Sequence, residues 1–402
     1  MTDRGRIVLA LGGATYVAAW AFGSKPLYPV ATGLLLAVVL AWGWVRLANR
    51  PMRLRRVLGE GDRFEGDDVS VWLELELESW VPPPSLVLVE RMSRLGERRT
   101  PLHPDGSRLW AGYTLEALPR GRYVLEAAEV VIEDPFGLQR VTVPLGEAGA
   151  LVVYPRLVEL HRLFSESGAR SHEGRRMLLH RPSGFDFHGV REYEEGESLR
   201  RVHWRSTARR GQLMVKELED SPRDETAVVL DTDASAVAGI PPDSSFDVQV
   251  RAAGSVLHAH ARRGRRAVLV VGSVLRESQR VASSDGDWRR ALDLLAGLEP
   301  SVGGSAAPLL VEDASAAGRA LELTVVTSRL DGRLVERLVH LALGRRRVAL
   351  VYVDPASFGG RLRPEPGLLR LQAAGIPVAV VRRGDDLAAK LTGEALRGAV
   401  SG

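Results

Sequence analysis

The 402-residue chain has no cysteine. That absence removes disulfide scaffolds, thiolate zinc sites and every enzyme built on a cysteine nucleophile. Lysine is nearly missing: Lys25, Lys216 and Lys390 are the only ones, so arginine supplies almost all of the 54 basic side chains. The 50 acidic residues hold the net charge to +4, and so even a balance argues against a nucleic-acid footprint. No Gly-x-x-x-x-Gly-Lys-Ser/Thr loop is present, so the chain is expected to hydrolyse no nucleotide itself. A Gly-x-Ser-x-Gly elbow and a His-Glu-x-x-His pair are also missing, since His172-Glu173 meets its next histidine too late, at His180. What remains is an ordinary folded composition, 45% hydrophobic and 26% charged, with room for two or three domains at roughly 150 residues each.

Residues 1–50 stand apart. Ile7 to Gly23 carries no charge, and after Ser24-Lys25-Pro26 neither does Leu27 to Val45. A spanning helix needs about 20 apolar residues, which the second stretch supplies comfortably and the first barely. Trp20, Trp42 and Trp44 sit near segment ends, where indoles favour the membrane interface. The short connection predicts an antiparallel transmembrane two-helix hairpin. Arg4 and Arg6 precede it, and Arg46, Arg50, Arg53, Arg55 and Arg56 follow it, which by the positive-inside rule places both ends, and the soluble domains, in the cytoplasm. The competing reading is a signal peptide cleaved after Ala19-Trp20-Ala21, which leaves one span and turns the rest outward.

Residues 51–156 change period. Val69, Val71, Leu73, Leu75 and Leu77 alternate with Ser70, Trp72, Glu74, Glu76 and Glu78, the pattern of a half-buried strand. Further short strands (Ser85–Glu90, Tyr123–Glu126, Val130–Glu133) fall between Pro- and Gly-rich turns and predict a β-sandwich. From residue 226 to 402, apolar runs such as Ala227–Leu230, Ala267–Val271, Leu321–Val326, Val348–Val353 and Pro377–Val381 alternate with amphipathic helices. Buried β-branched strands between helices predict a doubly wound parallel sheet with helices on both faces.

Between these lies a connector, 157–225, with an unusual charge density. Arg191 to Arg210 (REYEEGESLRRVHWRSTARR) packs six arginines and four glutamates around Tyr193, Leu199 and Trp204. Gly196 permits a tight turn, and Ser198 can cap a short helix. One reading is an ion-pair network fastening the segment to the α/β core, because the planar guanidinium fork grips carboxylates in pairs. The other is a docking surface for a partner or a phosphate group. Beyond it, Asp231-Thr232-Asp233-Ala234-Ser235 follows the first α/β strand and sets oxygens at alternate positions. Ligands gather at such strand ends, and hard oxygens suit Mg²⁺. The plainer alternative is that Asp231 and Ser235 cap the loop that follows.

The stretch Gly184–Asp220 closely resembles the signature of the bacterial domain-of-unknown-function 58 family. Arg120-Gly121-Arg122-Tyr123, Asp134-Pro135-Phe136-Gly137-Leu138 and Val153-Tyr154-Pro155-Arg156 resemble the family as well. Two departures stand out: Glu197 replaces a shorter acid after Gly196, and His203 stands before Trp204 where an acid is common. The resemblance implies a von Willebrand factor A-like domain and association with MoxR-type AAA+ ATPases. It also implies a role in cell-envelope assembly or maturation beside a membrane transglutaminase-like protein. It assigns partner contact to the motif residues Arg191, Glu192, Tyr193, Gly196, Glu197, Arg200, Trp204, Arg205 and Arg209. The acidic loop is similar to the metal-ion-dependent adhesion site of von Willebrand A domains, in a degenerate form. That likeness makes Asp231, Asp233, Ser235 and the later Asp331 candidate Mg²⁺ ligands, with Ser305 nearest to the place of the missing threonine.

The resulting expectation is a non-enzymatic, multi-pass membrane adaptor for a MoxR-type ATPase, with no catalytic residue and no nucleic-acid partner. The alternatives are a Mg²⁺-dependent phosphoryl-transfer enzyme using the Asp231/Asp233 loop and an outward-facing adhesion-like module.

Overall fold

The computed structural model describes residues 1–59, 61–77, 86–105, 108–166, 185–192, 202–220, 226–272, 278–281, 285–311, 316–344, 346–361 and 366–393. They fall into two compact units, Met1–Tyr154 and Pro155–Gly402.

The first unit opens with helices α1 (Asp3–Ala21) and α2 (Leu27–Ala48). They run antiparallel. Tyr16 meets Tyr28 edge-on at 5.5 Å, Gly12 lies against Leu34 and Leu35, and Val8 packs with Val38 and Ala41. Among the described residues only α2 is long and apolar enough to cross a membrane. Helix α1 keeps Asp3, Arg4 and Arg6 in its first turns. The expected pair of spans therefore reduces to one apolar helix, and a helix in this place is also what a signal sequence provides.

Ten strands follow. One sheet has the order β1-β2-β6-β5, from Met52–Leu58, Val69–Leu77, Arg108–Leu115 and His103–Asp105. The other has the order β10-β7-β3-β8-β9, from Gly149–Val153, Gly121–Leu125, Leu86–Met92, Ala128–Glu133 and Arg140–Leu145, with β4 (Gly96–Pro101) on β3. The alternation in β2 is realised: Val69, Val71, Leu73 and Leu75 are buried with Leu88, Val130, Ile132 and Leu151, while Trp72 faces out and stacks near Trp110. A buried charged pair enters this sandwich. Glu90, 1% exposed, accepts from Arg56 Nε at 2.9 Å and from the Tyr113 hydroxyl at 2.5 Å. Arg56 also donates to the carbonyls of Glu126 and Glu147. Burial, with Glu90 alongside, pushes the Tyr113 hydroxyl far above its ordinary pKa.

The second unit holds a six-stranded sheet of order β15-β14-β13-β16-β17-β18. Its strands are β13 (Thr226–Leu230), β14 (Ala267–Val271), β15 (Ser278–Val281), β16 (Glu322–Thr327), β17 (Arg347–Val353) and β18 (Val378–Val381). All neighbouring pairs are parallel except β14–β15. The antiparallel edge strand β15 was not anticipated, because four residues patterned Ser-Gln-Arg-Val carry little apolar signal. Helix α4 (Ser245–Arg262) starts at a capping box between Ser244 and Asp247 and buries Val250, Val256 and Leu257 on one sheet face. After helices α5 (Asp285–Gly297) and α6 (Ala316–Arg319), helix α7 (Gly332–Leu343) buries Leu334, Val335 and Leu338 on the other. Leu160, Leu163 and Phe164, inside the stretch read as a connector, instead pack into the α4 side. A two-stranded ribbon completes the unit: β11 (Phe185–Glu192) pairs with β12 (Met214–Asp220), with helix α3 (Trp204–Arg210) leading into β12.

Candidate functional site

The chain leaves β13 toward β14 through α4 on one face and leaves β16 toward β17 through α7 on the other. The carboxyl ends of β13 and β16 therefore border a topological switch point, where α/β sheets open a crevice. Asp231 and Thr327 stand at those two ends. Asp231 N donates to the Val326 carbonyl, extending the ladder by one bond. Thr232 N donates to the Gly304 carbonyl at 3.0 Å, and a Cβ at Gly304 would overlap Thr232 Oγ1 and the Gly272 carbonyl, so glycine is required there.

Asp231 is 3% exposed. Its Oδ2 accepts from Thr327 Oγ1 at 2.7 Å and its Oδ1 from Asp233 N at 2.9 Å. Burial pushes its pKa up to about 6, and these hydrogen bonds offset only part of that. Asp233 Oδ1 accepts from Ser235 N at 2.9 Å, and Oδ2 accepts from Arg329 Nη1 at 2.6 Å; the same Nη1 donates to Ser235 Oγ at 3.0 Å. Burial raises Asp233, but the Ser235 donors and the Arg329 guanidinium outweigh it and hold its carboxyl below the ordinary range. Asp331 lies elsewhere in role: its Oδ1 accepts from Leu334 N at 2.7 Å and caps α7. Ser305 Oγ accepts from Ala307 N within its own loop.

This donor set does not fit a divalent cation as it is folded. Mg²⁺ needs near-octahedral oxygens with lone pairs free to point at it. Here the Asp231 oxygens are engaged by donors, and a guanidinium nitrogen stands between Asp233 and Ser235. Among the described residues no group of three or more His, Asp or Glu side chains is placed to hold a metal ion. Sequence reading missed Arg329, because an arginine two residues past a strand gives no local sign of its partner 96 positions away.

Of the motif residues, Tyr193, Gly196, Glu197 and Arg200 lie outside the described residues. So does the helix expected after Ser198, up to Arg201. Arg191 and Glu192 end β11, paired with Val215 and Met214. Trp204, 67% exposed, starts α3, and Arg205, Arg209 and Arg210 are exposed on the same helix. Val202 and Met214 are buried beneath it. His203, one of the two departures, acts as the N-cap: Nδ1 accepts from Ser206 N at 3.3 Å and pairs with Ser206 Oγ at 2.8 Å. An imidazole nitrogen thus does the work an acid does at this position, by supplying an acceptor to an unsatisfied helix N–H. No hydrogen bond or ion pair joins Trp204, Arg205 or Arg209 to the Asp231 loop among the described residues.

A second buried group also escaped sequence reading. His260 on α4 is fully buried, with neither ring nitrogen hydrogen-bonded among the described residues. Burial, helped by Arg265 and Arg263 and opposed by Glu166, lowers its pKa to about 4.

The molecule is thus an α/β protein with a switch-point crevice and an arginine-bearing ribbon, preceded by an apolar helix and paired β-sheets. Residues 189–374 match the model of the family described as Protein of unknown function DUF58. A relative, "Uncharacterized protein YeaD" of Bacillus subtilis (strain 168), is 26% identical over 243 residues, which cover 60% of this chain and 58% of that one. The chain therefore spans somewhat over half the length of that curated relative. Among solved structures, the bacterial hydrophobin BslA aligns over 26% of this chain and all of its own, at 11% identity and a TM-score of 0.17. The Pseudomonas fluorescens alkylpurine DNA glycosylase AlkC aligns over 38% of this chain and 43% of its own, at 15% identity and a TM-score of 0.18. Cwp6 from Clostridium difficile aligns over 82% of this chain and 45% of its own, at 9% identity and a TM-score of 0.16. Likenesses so low carry no argument about fold or function.

Proposed function

We propose that the chain is a membrane-anchored, non-enzymatic adaptor that grips a MoxR-type AAA+ ATPase and serves cell-envelope protein assembly or maturation. The observation that carries this reading is Trp204, a large aromatic left two-thirds exposed on a helix flanked by Arg205, Arg209 and Arg210. Tryptophan and arginine are the residues that dominate protein–protein hot spots. The parallel sheet with its acidic loop at the switch point supports a von Willebrand A-like second unit. Helix α2 supports an anchor, and the arginines that flank the apolar segments favour a cytoplasmic face for the soluble parts. A transglutaminase-like membrane protein is a second candidate partner, through the same family resemblance.

The test is crosslinking in native membranes followed by identification of bound proteins, repeated with Trp204→Ala and with Arg205→Ala/Arg209→Ala. Recovery of an AAA+ ATPase, reduced about tenfold or more by Trp204→Ala, is the expected result. Failure to recover any such ATPase, with and without ATP and Mg²⁺, would falsify the reading.

A further inference from the structure

The Asp134-Pro135-Phe136-Gly137-Leu138 motif plays no part in the adaptor surface, yet the first unit is organised around it. Asp134 is 4% exposed and ties the β8–β9 turn from inside. Its Oδ1 accepts from Phe136 N at 2.9 Å, its Oδ2 from Gln139 N at 2.5 Å, and its carbonyl from Gly137 N at 3.0 Å. Gly137 takes φ +69°, which glycine allows at little cost. The turn then clamps both helices. The Thr2 hydroxyl donates to the Gly137 carbonyl at 2.6 Å, and Thr2 N donates to the Leu138 carbonyl at 3.0 Å. A Cβ at Gly5 would overlap that same carbonyl, so α1 sits directly on the turn. The Leu138 side chain is buried against Val38 and Ala41 of α2.

This fixes the depth of the turn on the apolar helix. Ala41 lies about 6 Å, at a 1.5 Å rise per residue, inside Val45, the last residue of the uncharged stretch of α2. On α1, Val8 belongs to the same cluster, immediately past Arg4 and Arg6. The turn is therefore level with the boundary between charged and apolar residues on both helices. Its remaining aromatic, Phe136, is 73% exposed at that level. Rings placed at such a boundary partition into the headgroup–acyl zone of a bilayer.

We infer that the β8–β9 turn is a membrane-surface element: it locks the helix pair to the sandwich and sets Phe136 into the lipid interface beside α1 and α2. The inference rests on the reading of α2 as a membrane anchor and adds a second, non-helical point of lipid contact. The occupant is the bilayer, because the turn is continuous with the helix surface that a bilayer would surround. The exposed residues of α2 near this level, Val39, Leu40 and Trp42, are apolar or amphipathic.

The absence of cysteine makes the test direct. Single variants Phe136→Cys, Leu95→Cys and Val39→Cys of the full chain carry a nitroxide label in vesicles of phosphatidylethanolamine and phosphatidylglycerol. Collision with oxygen, which concentrates in lipid, is compared with collision with a water-soluble nickel chelate. Leu95 lies in the β3–β4 turn at the far end of the β3–β8 ladder and serves as the aqueous reference. The expected result is an oxygen-to-nickel ratio at position 136 several-fold above that at 95 and approaching that at 39. A ratio at 136 equal to that at 95, with 39 still lipid-exposed, overturns this inference and leaves the anchor reading standing. Water exposure at 39 as well removes the anchor reading and the inference together. Shielding of 136 from both reagents means that protein covers the turn and also overturns the inference. Melting temperatures of the labelled variants within a few degrees of the parent chain establish that the fold is retained.

Discussion

Each unit of the chain holds one arginine–carboxylate contact at a place of consequence, and the two contacts are built differently. In the sandwich, the side chains of Arg56 and Glu90 are 13% and 2% exposed, and their donors and acceptors are met by Tyr113 and two carbonyls. In the α/β unit, Arg329 is 38% exposed at 2.6 Å from Asp233, at the open ends of parallel strands. Water can replace one partner in the second case and not in the first. A buried pair is costly to break because the survivor keeps its charge without solvent, whereas a half-exposed pair is screened. The sandwich pair thus acts as a fixed structural knot. The sheet-end pair is a surface that leaves its loop in one shape.

The largest expected effect tests the knot. Arg56→Ala strands Glu90 in the sandwich core and is expected to cost about 3–5 kcal/mol, read as a large drop in the thermal unfolding of the first unit. A change under about 1 kcal/mol would erase the contrast drawn here.

The next effect lies inside the second unit and depends on pH. Asp231 has a folded pKa of about 6 against an ordinary 3.8, so its contribution is fully present below 3.8 and is lost as pH rises through 6. His260 has a folded pKa of about 4 against an ordinary 6.5, so its contribution is present above 6.5 and is lost as pH falls toward 4. Each is of order ~3 kcal/mol, and over the shared window they oppose one another. Parent stability is expected to be nearly flat from this pair between pH 4 and 6.5. His260→Leu should uncover a fall with rising pH, and Asp231→Asn a rise. Denaturant titrations at several pH values decide, and slopes of the wrong sign in either variant refute the assignment.

A smaller effect is expected at the sheet ends. Arg329→Ala removes a partly exposed partner and should cost ~1 kcal/mol in the second unit while leaving the first unchanged. The smallest concerns metal. Because the guanidinium stands between Asp233 and Ser235, millimolar Mg²⁺ should leave the unfolding temperature of the parent chain unmoved. A rise of several degrees that Asp231→Ala abolishes would mean the loop rearranges to take the ion.

Much of this architecture was legible from local pattern. The alternation that begins at Val69 identified β2, Val69–Leu77. Apolar runs located the parallel strands because burial on both faces leaves a continuous signal. Strands β1, β4, β5, β6, β9 and β10 were not separated, since short pieces interrupted by arginine, glycine or proline lack that signal. Family resemblance flagged the motifs without saying what their residues touch. Asp331 looked like a ligand and is a helix cap, because a carboxylate before a helix reads the same in sequence for either task.

The sequence by itself determined an apolar N-terminal helix, a strand-rich stretch and an alternating α/β stretch, because each follows from periodicities of two or 3.6 residues along the chain. Only the tertiary structure decided that Arg329 takes the place beside Asp233, that His260 is buried with no hydrogen-bond partner among the described residues, and that Leu138 clamps both helices. Those facts join residues far apart in the chain, and no local period encodes which distant side chain or carbonyl will meet them when the sheets close.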